Sequence, residues 1–207
     1  MGFYARHVLP RLIELAMKNK SAGKERARFV PRASGVVLEI GVGSGLNIPV
    51  YGAAVQKLYA LDPSPELLRM ARPRAKQASF PVELLEQSAE AIPLADESVD
   101  TVVTTWTLCS ILDAARALRE MRRVLRRDGR LIFIEHGRSE DPGVVRWQDR
   151  LTPWWRRVSG GCHLNRPIDR LLVQGGFHVA EMERGYGTGP RTTSYLYRGI
   201  ARPVGGR

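Results

Sequence analysis

Short apolar runs alternate with helix-like stretches along most of this chain, and that alternation admits few folds. VVLEI (36–40) is continuously apolar, as a parallel strand buried on both faces must be. It is followed by KLYALD (57–62), a helix from Ser64 opened by Ser-Pro-Glu, VELLEQ (82–87), DTVVTTW (100–106), a helix over 113–127, and LIFIEH (131–136) after an Asp-Gly-Arg turn. Strand, helix and strand in succession imply right-handed crossovers and a mostly parallel sheet with helices packed on it, an α/β layer fold. Beyond His136 the pattern breaks. WQDRLTPWWRRVSGGCHLNR is rich in Trp and turn residues, a helix is expected over 167–175, and FHVAEMER and TSYLYRGIA are expected as an antiparallel pair at the sheet edge.

At the amino end Phe3, Leu9, Leu12, Ile13, Ala16 and Met17 fall near one side of a helix over 3–18, with Arg6, Arg11, Glu14 and Lys18 elsewhere. The stretch 19–34 is polar and basic with Gly23 and reads as a linker or surface loop. The 207 residues suit one domain, so the expected division is 1–34, a leading amphipathic helix and basic linker, and 35–207, the α/β domain. The first 20 residues carry no small-residue cleavage site, and no apolar run reaches the roughly 18 residues of a membrane span. Both point to a cytoplasmic protein, with residues 1–20 available for peripheral contact with an anionic membrane.

The formal charge of +11 would draw phosphate. Only five of the 32 basic residues are lysine, however, and the arginines from Arg116 to Arg130 take helical spacing around one apolar stripe. A solvated surface accounts for them, and nucleic acid is not the expected partner. Cys109 and Cys162, with no CxxC or HxxxH spacing, give neither a disulfide framework nor a metal site.

EIGVGSG (39–45) leaves the first strand. Its glycines Gly41, Gly43 and Gly45 let backbone turn sharply and approach a ligand, and a helix-like stretch is expected after it. A dinucleotide loop spaces its glycines GxGxxG; here GxGxG directly follows Glu39. Asp62, with Pro63 after it, closes the second strand, where a carboxylate can accept from both hydroxyls of a ribose. Ala89 and Glu90 follow the third strand, where a backbone amide and a carboxylate can read an adenine edge, and Thr105 and Trp106 end the fourth. Ligands of open α/β sheets bind at these carboxyl ends, so all of these residues converge on one cleft.

With EIGVGSG, LDPSPELL, SAEAIPLADESVD and RVLRRDGRLIFIEHG in this order, the chain resembles class I S-adenosylmethionine-dependent methyltransferases over roughly 35–201. The resemblance implies a Rossmann-like seven-stranded sheet with the last strand antiparallel and helices on both faces. It also implies S-adenosylmethionine as cofactor, held by Glu39, Gly41, Gly43, Gly45, Asp62, Ala89 and Glu90. The pieces TLCSI, GRLIFIEHG, W-Q-x-x-L-x-P-W-W and GGCHLNR further resemble methyltransferase-like proteins that methylate alkyl thiols on endoplasmic-reticulum and lipid-droplet membranes, without a counterpart to their hydrophobic anchor.

Methyl transfer from a sulfonium is an in-line displacement, so placing the acceptor in a dry cleft carries most of the work. Trp106, Trp147, Trp154, Trp155 and Tyr4 are candidates for the wall of that cleft, and the tryptophan-rich segment 146–157 for a substrate cover. A thiol acceptor, with a pKa near 8.5, needs only partial deprotonation. His136, at the end of the fifth strand, is the best-placed base, His163 is second, and Asn165 and Arg166 are substrate anchors. The expected activity is methylation of a small molecule, a thiol before an amine or phenol. The alternatives are phospholipid N-methylation at an anionic membrane and a nonenzymatic module that only binds the cofactor.

Overall fold

The computed structural model describes residues 8–205, so Phe3, Tyr4, Arg6 and His7 lie outside the described residues. The expected strands form in the expected order: β1 (Gly35–Ile40), β2 (Val55–Leu61), β3 (Val82–Leu85), β4 (Val99–Thr105), β5 (Leu125–His136), β6 (Phe177–Tyr186) and β7 (Tyr195–Pro203). They make one sheet in the order β3-β2-β1-β4-β5-β7-β6. The first five pair in parallel, and β7 inserts antiparallel between β5 and β6. The helices are α1 (Leu9–Met17), α2 (Lys20–Phe29), α3 (Pro65–Lys76), α4 (Ala114–Val124), α5 (Pro142–Val158) and α6 (Ile168–Gln174).

Strand alternation divides the core in two, because successive side chains point to opposite faces. Leu38 and Ile40 of β1 and Leu131 and Phe133 of β5 join one cluster, which is closed by Leu118 and Met121 of α4 and Leu172 of α6. Val37 of β1 and Ile132 and Ile134 of β5 join the other, with Phe29 of α2 and Leu68 of α3. The register aligns the exits of four strands: Ile40 pairs with Leu61 and Thr104, and Thr104 pairs with Phe133. Whatever follows β1, β2, β4 and β5 is therefore brought to one edge.

Four local expectations are corrected. The basic stretch after Lys18 is not a linker: Asn19 accepts from the Ala22 amide as an N-cap, and α2 buries Ala22, Arg26 and Phe29. Buried Ala22 and Phe29, with Arg26 hydrogen-bonded to Asn47, outweigh the helix's polar composition, a tertiary effect that composition hides. The glycine loop is followed by turns and a single 3-10 turn, Ile48–Val50, rather than by an α-helix. The Asp-Gly-Arg turn is a bulge inside β5, where pairing jumps from Val99–Leu125 to Thr101–Arg130. The tryptophan-rich segment is α5, capped by Asp141 on the amides of Gly143 and Val144. It touches the fold through buried Val144, Gln148 and Thr152, one residue per turn.

Candidate functional site

Gly41 and Gly43 have φ of +68° and +57°, the left-handed region that favours glycine. Around Gly41 the chain is closed, since an added Cβ would collide with the Thr107 side chain; at Gly43 it would meet only the Gly41 carbonyl, at 3.9 Å. The loop thus has a tight root and an open crest, the cradle that a nucleoside such as that of S-adenosylmethionine requires. Asp62, 5% exposed, holds the crest in shape: Oδ2 accepts from the Gly43 amide at 2.9 Å and Oδ1 from the Ser64 amide at 2.9 Å. Each oxygen keeps a second acceptor site. Burial raises the Asp62 pKa, while the Ser64 and Gly43 amides pull it back. Pro63 follows, exposed.

Below the loop lies a polar network inside the sheet. Glu39, fully buried, accepts from Asn47 Nδ2 at 2.8 Å and from the Tyr51 hydroxyl at 2.9 Å. The same Asn47 amide nitrogen donates to Thr105 Oγ1 at 3.0 Å, and Asn47 Oδ1 accepts from Arg26 Nε at 2.9 Å. Burial pushes the Glu39 pKa up to about 7, with the Tyr51 and Asn47 hydrogen bonds opposing it. Arg26 also lies over the Trp106 ring, 5.0 Å from its centroid. Trp106 itself takes φ of +51°, a conformation that costs an L-residue roughly 1–2 kcal/mol. Its amide donates to Ile134 O at 2.7 Å, which ties the end of β4 to β5 in that strained turn.

Ala89 is buried, and the Glu90 carboxylate accepts from the Asp113 amide at 2.8 Å, so one of its oxygens is occupied at the head of α4. Glu135, on β5, is fully buried. Its Oε1 accepts from Thr104 Oγ1 at 2.7 Å and the Thr107 amide at 3.2 Å, and its Oε2 has no partner among the described residues. Burial pushes its pKa up to about 7 as well.

His136 ends β5 with Nδ1 3.6 Å from Cys162 Sγ, and its buried Nε2 has no partner among the described residues. Cys109, His136 and Cys162 offer ligand atoms that all lie within 4.8 Å of one another. His163 is held differently: its backbone amide donates to Cys109 O at 2.8 Å and its Nδ1 to the same oxygen at 3.1 Å. Burial first, then the charge of Arg166, lowers its pKa. A neutral imidazole donating from Nδ1 carries its lone pair on Nε2. The two histidines are therefore not equivalent.

The expected substrate anchors divide. The Arg166 guanidinium donates to Leu108 O and sits in the field of Cys109, Cys162 and Glu135. Asn165 is engaged with Asp149 Oδ1 at 2.7 Å near the surface. Trp147 and Trp154 stand on the outer side of α5, 56% and 71% exposed, stacked by Arg150 and Arg157. Tyr4 lies outside the described residues. Sequence reasoning missed Arg26, Asn47 and Tyr51, which sit in segments without strand or helix pattern, and Glu135, whose signal was a carboxylate inside an apolar strand. It also missed the Cys109, His136, Cys162 cluster, whose members lie 27 and 26 residues apart.

The methyltransferase-domain family matches residues 38–133. The chain is 34% identical over 159 residues to thiol S-methyltransferase TMT1B of Homo sapiens, covering 73% of this chain and 64% of that protein. It is 33% identical over 165 residues to a phosphatidylethanolamine N-methyltransferase of Cereibacter sphaeroides, covering 79% and 80%. The chain thus spans less than two thirds of the thiol relative's length. Among solved structures, a chain from the complex of the Haloferax volcanii Trm112 methyltransferase activator with a methyltransferase superposes with a TM-score of 0.73 over 97% of this chain and 96% of that one. At 18% identity that likeness is one of fold.

Proposed function

The chain belongs to the class I S-adenosylmethionine-dependent methyltransferases, and from that premise we propose that it methylates a small thiol at the carboxyl ends of β4 and β5. One observation carries the choice of acceptor: two thiols and two imidazoles, Cys109, Cys162, His136 and His163, gather there beside the polar network under the glycine loop. Such a lining suits a soft, weakly acidic acceptor that must lose one proton near neutral pH. The likeness to a thiol S-methyltransferase supports the same reading.

When bound, S-adenosylmethionine supplies an electrophilic methyl group on a sulfonium. The chain's own residues do the rest. Gly41, Gly43 and Gly45 cradle the nucleoside, with Asp62 accepting from ribose hydroxyls through its second acceptor sites and Ala89 and Glu90 beside the base. Glu39 and Thr105, braced by Asn47, hold the loop and the end of β4 in register. Trp106 excludes water between the two reactants, and Arg166 fixes the acceptor loop against Leu108. His163 takes the acceptor's proton on Nε2. The test is a panel of thiols, amines, phenols and lipids assayed for S-adenosylhomocysteine release. Turnover confined to non-thiol acceptors would defeat the thiol assignment. For the proton acceptor, His163→Gln should lower kcat about 100-fold at pH 7 and recover most of it at pH 9, where thiols ionise unaided. A loss of equal size at both pH values would mean a structural role instead.

A second reading, methylation of a phospholipid headgroup amine, is favoured by α5. Trp147, Leu151, Trp154, Trp155 and Val158 follow one another at helical spacing and are all exposed, with Arg150 and Arg157 beside the rings. Tryptophan and arginine along an apolar stripe suit the interface of an anionic bilayer. Leu12 and Leu15 of α1 are exposed as well. No helix among the described residues is long and apolar enough to cross a membrane, so contact would be peripheral. In sedimentation with anionic vesicles, a Trp147→Ser, Trp154→Ser variant should bind roughly tenfold more weakly than the parent. A parent chain that ignores anionic vesicles removes the lipid reading.

A further inference from the structure

We propose that Cys109, His136 and Cys162 hold one zinc ion through two thiolates and an imidazole, leaving its fourth position open to a substrate thiolate. The site itself stands on the geometry alone; the assignment of the fourth position rests on the thiol reading above.

Zinc bound by Cys and His has Zn–S near 2.3 Å and Zn–N near 2.0–2.1 Å, so tetrahedral ligand atoms sit roughly 3.5–3.8 Å apart. His136 Nδ1 and Cys162 Sγ are already 3.6 Å apart, and all three ligand atoms lie within 4.8 Å of one another. The three ligands come from three different segments of the chain. Cys109 lies in the turn after the strained Trp106, His136 is the last residue of a central strand, and Cys162 is carried between Gly161 and His163, whose amide is bonded to Cys109 O. That amide bond sets the two cysteines face to face.

Burial and charge agree with a cation. Cys109 and His136 are 2% and 5% exposed, while Cys162 is partly open and gives an entry path. Cys109 Sγ has only weak polar contacts among the described residues, with Trp106 O at 3.7 Å and Ser110 Oγ at 3.5 Å. A divalent ion with two thiolates carries no net charge of its own, and the Arg166 guanidinium stands beside the two sulfurs. His136 brings a buried imidazole whose Nε2 has no partner among the described residues. With the ring proton there, the Nδ1 lone pair faces Cys162. Two sulfurs and one nitrogen select a soft or borderline ion over magnesium or calcium, and three protein ligands rather than four characterise a site that works on a substrate.

Binding of a thiol at the fourth position forms a Zn–S bond and releases one proton, because only the thiolate is a ligand. The proton is released to solvent, and His136 serves as a metal ligand in this arrangement.

The test uses the full chain, stripped with a chelator, kept reduced with a phosphine and titrated with cobalt(II) as a spectroscopic stand-in for zinc. One equivalent should bind, with thiolate-to-cobalt charge-transfer absorption and the visible bands of a tetrahedral ion. Adding 2-mercaptoethanol should raise the charge-transfer intensity by roughly half, two thiolates becoming three. Cys162→Ser and His136→Gln should each weaken zinc affinity, read by competition with a chromophoric chelator, by about 100-fold or more. Calorimetry with S-adenosylmethionine checks that both variants remain folded. Absence of one-to-one binding, or equal affinity in all three proteins, overturns the site. Binding of cobalt with a spectrum that thiols leave unmoved overturns the open position. Thiol methylation by metal-free chain at the loaded rate overturns the metal's part in it and leaves the thiol reading standing. A zinc site in a chain that methylates no thiol does the reverse.

Discussion

Gly43→Ala should lower affinity for S-adenosylmethionine about 100-fold, or ~2.7 kcal/mol, while the chain still folds. The two effects separate because of what surrounds this glycine. An alanine at φ of +57° pays roughly 1–2 kcal/mol for the left-handed conformation, and melting should fall about 2–4 °C per kcal/mol in a domain of this size. Inside the protein its methyl group meets only the Gly41 carbonyl, at 3.9 Å, so nothing in the fold is displaced. The methyl instead stands on the open crest where a ligand's backbone contact is expected. At Gly41 the same change would drive Cβ into Thr107 and test folding rather than binding. Asp62→Asn is the companion: it keeps one oxygen for Ser64 and turns an amide donor toward the Gly43 N–H, so the crest loses its brace. Isothermal calorimetry on both variants decides it. Unchanged affinity in Gly43→Ala would place the cofactor elsewhere.

The parts of this protein that were legible in its sequence are those in which one local pattern decides the outcome. VVLEI and LIFIEH are apolar because both faces of a central parallel strand are covered, and the glycine spacing with Asp62 is visible because turn geometry and strand ends are local properties. What escaped depends on distant partners. Lys20–Phe29 looks like linker until Phe29 meets the second core cluster and Arg26 finds Asn47. The α5 sequence looks broken by Pro153 and three tryptophans, because its inward side is only Val144, Gln148 and Thr152. Gln148 explains why that thin contact suffices: its side chain accepts from the Ser139 amide and donates to Gly137 O and Thr192 O, pinning the helix beside the end of β5. The thiol and imidazole cluster could not be read at all, since only the pairing of β4 with β5 and the fold-back of the Gly160–Gly161 turn bring its members together.

Stability should fall as pH rises from 5 to 8, the reverse of ordinary acid denaturation. Glu39 and Glu135 are buried with pKa values pushed up to about 7 from 4.5, so the folded chain holds their protons more tightly than the unfolded chain does. The stability they confer is complete below pH 4.5 and is lost as pH climbs through 7. Carboxylates with lowered values, such as Glu14, Glu120 and Asp141, act below pH 4.5 and stay out of that window. His163, pushed below its usual value, opposes the trend near pH 6, but its partly exposed ring makes the smaller contribution. Each buried carboxylate is worth a few kcal/mol at most, about 1.4 kcal/mol per pH unit of displacement. In urea titrations Glu135→Gln should gain stability at pH 8 and flatten the profile, because Gln retains the oxygen that Thr104 and Thr107 use and replaces the partnerless one. A parent profile that rises from pH 5 to 8 would mean that both groups are ionised throughout. Glu39 adds a functional arm to the same experiment. A cationic sulfonium ligand near the loop favours its ionised form, so cofactor affinity should strengthen as pH passes 7 in the parent and stay level in Glu39→Gln. The cost in stability at neutral pH is then the counterpart of a negative charge kept ready beneath the cleft.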